Sequence, residues 1–208
     1  MADFNALLAA ADIDIDIQAI EVISNQPTVR TISLSGRQQV RSFAGQYWTM
    51  RIIMPPMDEA TLRQVYGFLI KQQGGFSTFT IAPTNLKNTG NRLGTLYPAA
   101  TEDIKATTST PQKALGSTSV EMTNQNRWFG GEMFKFSNHD KVYMITAEQS
   151  TDDTIFFEPG LTTVITDSHN ILSGDLFEMK VRLVGDEFKF NETSDGYGSL
   201  EFEVVEAV

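Results

Sequence analysis

Few side chains in this sequence are suited to chemistry. Its two histidines, His139 in "SNHDKVY" and His169 in "TDSHNIL", fall in stretches that read as a hairpin tip and a loop. A metal site needs further ligands at recognisable spacing, and neither histidine has one in sequence. A hydrolase triad needs a serine on a strained elbow, and no G-x-S-x-G occurs. Asp186, Glu187, Glu192 and Asp195 cluster in "GDEFKFNETSDGYG", where a carboxylate pair would suit glycoside hydrolysis. The chain carries 26 acidic residues, so such a cluster selects no chemistry by itself. Asp12, Asp14 and Asp16 alternate with Ile13, Ile15 and Ile17. Calcium would need oxygen ligands converging from a loop, and no EF-hand spacing or turn glycine follows. Period two marks them instead as the wet or edge-protecting face of a strand. "GGFSTF" and "WFGGEMF" lack the lysine of a phosphate loop and the G-x-G-x-x-G order. No catalytic residue, metal ligand or cofactor is expected.

Composition narrows the classes further. The 208 residues include 41% hydrophobic and 10% aromatic side chains, enough for a packed core in one large or two small domains. A formal charge of −10 argues against sequence-independent nucleic-acid binding, which rests on Lys and Arg neutralising phosphates. It also argues against an anionic membrane surface as partner. Cysteine is absent, which removes disulfides, thiolate metal sites and a thiol nucleophile. The start, "MADFNALLAAADID", lacks the basic residues of a secretory signal. No run approaches the roughly 18 apolar residues that span a bilayer, so no membrane insertion is expected.

The elements are mostly strands. "PTVRTISLSGRQQVRSF" predicts two strands joined at Ser35–Gly36. "GQYWTMRIIM" places apolar groups on both faces, as in a strand covered twice or covered once and turned toward a partner. Pro55 and Pro56 stop it. A helix over about 58–73 follows, capped by Asp58 or Thr61, with Leu62, Val65, Tyr66, Leu69 and Ile70 as its apolar stripe and Gly74–Gly75 as its end. One stripe must be buried against a sheet. Beyond Thr84 the chain turns to Thr, Ser, Asn, Gly and Pro, then to short strands spaced as in a small barrel or sandwich. "GSLEFEVVEAV" closes the chain, with Leu200, Phe202 and Val204 alternating against Glu201 and Glu203. The fold class is mainly β with one helix packed on a sheet.

Large aromatics are the remaining candidates. Tyr47 and Trp48 on the two-faced strand could anchor an interface; Trp128 and Phe129 could contact a carbohydrate or a protein partner. Core packing is the alternative for each.

With "AGQYWTMRIIMPPMDEATLRQVYGFL", "GGEMFKFSNHDKVYMITA" and "SGDLFEMKVRL" in this order, the sequence resembles the distal tail proteins of long-tailed siphophages, in the short two-domain form. The resemblance runs from about Val29 to the end. It implies a split, ring-forming β-sandwich domain over 1–83 and 173–208, and an oligonucleotide/oligosaccharide-binding-type small barrel over 84–172. It further implies a homo-oligomer, a hexameric ring at the distal end of the tail in the virion baseplate or tail tip. That ring would join the tail-tube protein to the tail hub, surround the tape-measure protein and offer its outside to side fibres. Two other readings stand beside it: a carbohydrate-binding module that touches the host surface through the small barrel, and a wall-degrading enzyme.

Overall fold

The computed structural model describes residues 2–4, 7, 17–42, 45–82, 106–107, 113–122, 128–147, 154–166, 169–187, 189–192 and 195–208. Among these, strands predominate around one helix, and they fall into two lobes and an arm.

The larger lobe is an eight-stranded sheet. Its strands are β1 (Ala2–Asp3), β2 (Ala19–Asn25), β5 (Tyr47–Ile53), β6 (Met57–Asp58), β7 (Phe79–Ile81), β14 (Met179–Leu183), β15 (Phe190–Glu192) and β16 (Tyr197–Glu206). The order is β1-β7-β14-β16-β5-β2, with β15 and β6 also on β16. Thus β16, whose alternation was plain in sequence, is the spine of the sheet. Leu200, Phe202 and Val204 point into the core while Glu201 and Glu203 stay wet. Strand β5 alternates more cleanly than its sequence suggests. Trp48, Met50, Ile52 and Met54 are buried, whereas Thr49, Arg51 and Ile53 face the other side and are half-buried. Of the two arrangements the sequence allowed, a strand covered twice or covered once, β5 has one covered face and one open face. On the open face Arg51 reaches Glu201 and Glu21 from the two flanking strands.

Helix α1 (Glu59–Lys71) lies on the covered face. Asp58 caps it, accepting from the Thr61 backbone N–H at 2.9 Å. Leu62, Val65 and Leu69 are buried as the stripe requires, but Ile70 is half exposed and Phe68 packs against Phe4 and Phe79 in its stead. At about 100° per residue, Phe68 stands nearer the centre of the Leu62–Val65–Leu69 stripe than Ile70 does. The turn after the helix holds Gly74 at φ 63°, in the left-handed region that favours glycine, beside the Asp186 carboxylate.

The smaller lobe is a six-stranded sheet of β8 (Ala106–Thr107), β9 (Ser119–Met122), β10 (Met133–Phe136), β11 (Val142–Ile145), β12 (Thr154–Glu158) and β13 (Ile171–Leu172), in the order β13-β10-β11-β12-β9-β8. It has its own core, built on Phe134, which meets Trp128, Phe136, Tyr143 and Phe157 at ring-centroid distances of 5.4–6.0 Å. Such edge-on and offset contacts add to the area that the rings bury.

The arm is the hairpin β3 (Thr28–Ile32) and β4 (Gln38–Ser42), turning through Gly36 at φ 77°. It forms a two-stranded sheet of its own, and every residue from Gln26 to Ser42 is exposed.

Candidate functional site

The closest joining of distant residues lies where the two lobes meet. The covered face of the large sheet is longer than helix α1, and the smaller lobe shares it: Met133 and Val142 enter the same cluster as Trp48, Met50 and Val181. Along β16, parity that buries Phe202 and Val204 also turns Glu206 inward. Its carboxylate meets the Lys141 ammonium at 2.6 Å, with the two side chains 0% and 2% exposed. The same ammonium donates to the Gln46 carbonyl at 2.7 Å and to Gln46 Oε1 at 2.8 Å. Glu206 Oε1 accepts from the Val142 N–H at 2.7 Å, and Oε2 from the Trp48 N–H at 3.2 Å. The indole Nε1–H of Trp48 donates to the Val142 carbonyl at 3.0 Å. Nearer the surface, Lys180 donates to Asp140 at 2.9 Å. Burial holds the Lys141 ammonium below the usual lysine range although Glu206 pulls the other way.

Trp48 therefore faces the second lobe of its own chain, and Tyr47 beside it is 43% exposed on the open face. Trp128 is 1% exposed, its ring closed against Phe134, so neither face can stack on a sugar. Its Nε1–H has no partner among the described residues. Phe129 is half-buried, its N–H donating to Glu132 at 3.2 Å.

The histidines serve their own lobe. Asn138 Oδ1 lies 2.7 Å from His139 Nδ1, which fixes the proton there, and Nε2 then accepts from the Tyr143 hydroxyl at 2.8 Å. The ring stacks on Phe136, and burial lowers its pKa to about 4. His169 Nδ1 accepts from the Thr166 N–H at 3.0 Å, a loop brace. Asp186, Glu187 and Asp195 are exposed. The Glu192 side chain, Asp12, Asp14, Asp16 and most of the stretch from Leu86 to Gln112 lie outside the described residues. No three His, Asp or Glu side chains converge as a metal site among the described residues. Among the described residues no helix is long and apolar enough to cross a membrane.

Two clefts flank the junction, of about 430 and 760 Å³. They share Gln26, Gln46, Glu158 and Pro159, and among the described residues Glu158 is the one carboxylate lining either. A lone carboxylate supplies at most one half of an acid–base pair.

The arm is the second distinctive surface. From Gln26 to Ser42 it holds Arg30, Arg37 and Arg41 and no acidic residue, leaving 13 basic against 26 acidic residues elsewhere in the chain. Val29, Ile32, Leu34 and Val40 are all exposed on it. Sequence reasoning found this hairpin but not its isolation; a stretch with three arginines and no acidic residue in an acidic chain was the available signal. It missed Lys141 and Glu206 altogether, although strand parity alone puts Glu206 on the apolar face.

No family profile matches the chain. Over 207 residues, 92% of this chain and 92% of its counterpart, the sequence is 27% identical to distal tail protein pb9 of Escherichia phage T5.

Proposed function

We propose that this chain is a structural, non-catalytic subunit at the distal end of a bacteriophage tail. The observation that carries the proposal is the similarity to distal tail protein pb9, which extends over nearly all of both chains and so takes in both lobes. In this reading six copies close a ring, with the split sheet (1–83 and 173–208) at its wall and the insertion (84–172), an OB-like small barrel, projecting outward. The tail tube docks above, the hub below, the tape-measure protein ends inside, and side fibres attach outside.

Two features of the fold support self-association. A basic, apolar arm stands clear of an acidic body, so the arm of one copy has a complementary surface on the next. An exposed apolar hairpin is also an association hazard unless a partner covers it. Tyr47 beside the arm's base lies on the same exposed side and joins the contact.

Immunogold electron microscopy of virions, with antibodies raised against the purified chain, tests the proposal. Label confined to the tail tip is the expected result; label on capsids, or none on particles, contradicts it.

A further inference from the structure

The contact between the lobes joins an apolar seam, where Met133 and Val142 enter the core of the larger sheet, to a buried charge pair. The smaller lobe also has an aromatic core of its own that includes neither Lys141 nor Glu206. Removing two charges from water offsets much of what their attraction returns, and an apolar pair of similar volume is often as stable. The depressed ammonium of Lys141 shows that burial outweighs the pull of Glu206. What the charges add is direction. All three ammonium donors are used, on one carboxylate oxygen and two Gln46 oxygens, and both carboxylate oxygens accept backbone N–H groups from the two lobes. Apolar side chains tolerate sliding; this network is satisfied in one placement only, because any slip leaves a buried charge unpaired.

We propose that Lys141 and Glu206 form a latch that fixes the angle between the two lobes, with Gln46 and Trp48 as its seat, so that the chain meets its partners as one rigid body. The latch stands apart from the tail assignment and holds for the isolated chain. It makes Lys141 and Glu206 positioning residues. The half-buried Lys180–Asp140 pair alongside is a weaker brace, partly screened by solvent.

The chain has no cysteine, so spin labels can be placed without background. Labels at Gln64→Cys on helix α1 and Thr163→Cys on the smaller lobe, both exposed positions, report the angle between lobes as a distance distribution. The unaltered latch gives one narrow distance. Lys141→Met strands the Glu206 charge and shifts the population to a second or broadened distance. Lys141→Met combined with Glu206→Leu leaves no stranded charge, so the lobes stay folded by circular dichroism while the distribution stays broad. A single narrow distance in the double variant would overturn the proposal, since apolar packing alone would then set the angle. Unfolding of both lobes in the double variant would overturn it too, because the pair would then belong to the core.

Discussion

Replacing Trp48 by Phe separates what its ring buries from what its N–H donates. The side chain is 5% exposed at the junction, and its Nε1–H is 3.0 Å from the carbonyl of Val142, a fully buried residue. Phe keeps an aromatic ring at the position of the indole's five-membered ring and removes the donor and the outer part of the indole. Leaving a buried carbonyl without that partner costs about 1–3 kcal/mol. The smaller ring leaves unfilled space that adds roughly 1 kcal/mol. A loss of about 2–4 kcal/mol in a chain of this size lowers the melting temperature by about 4–16 °C. Phe retains ring volume that Trp48→Ala empties, so the loss is smaller than in the alanine variant, where the cavity alone costs roughly 3–5 kcal/mol. Thermal unfolding followed by circular dichroism and fluorescence measures this directly. The chain has two tryptophans, so in Trp48→Phe the remaining signal comes from Trp128 in the core of the smaller lobe. A melting temperature equal to that of the unaltered protein would refute the reasoning, for it would mean that the indole hydrogen bond supports nothing at the junction.

Acid should weaken the smaller lobe through His139. Burial lowers its pKa to about 4, with Asp140 opposing, so between pH 6.5 and 4 the unfolded chain binds more protons than the folded one and stability falls as pH drops through that window. Linkage gives about 3 kcal/mol, and screening of a half-buried ring reduces this to about 1.5 kcal/mol. Urea unfolding at pH 7 and pH 4 should show that difference in the native chain and a smaller one in His139→Gln; parallel pH profiles would contradict it. Phe134→Ala empties the centre of the aromatic cluster and should cost the smaller lobe about 3–5 kcal/mol. Amide exchange should rise in β10, β11 and β12 and stay slow in β5 and β16; equal loss in both lobes would show that their cores are not separate.

Local periodicity made much of the fold legible, and long-range pairing hid the rest. Helix α1 was readable because its cap and stripe are short-range signals, although it ends at Lys71, with Gln73 at φ 55° ahead of the Gly74–Gly75 that the sequence marked as its end; β16 was readable because its alternation is strict over Leu200–Val204. The β3–β4 hairpin was readable from Ser35–Gly36. Trp48 was ambiguous because an indole looks the same in sequence whether it meets another chain or the second lobe of its own. Trp128 was ambiguous for the same reason, and only the packed ring of Phe134 shows that it is core. The Lys141–Glu206 contact joins residues 65 positions apart, and no periodicity connects them. Of the carboxylates that sequence raised as hydrolase candidates, Asp186, Glu187 and Asp195 lie on the exposed surface.

The central claim is that this polypeptide acts by assembling with copies of itself. Electron cryomicroscopy of the tail tip in intact particles tests it most directly. The account predicts a closed ring of six copies, each with its Gln26–Ser42 arm laid on the acidic surface of the next. Solitary copies with the arm extended into solvent would contradict it.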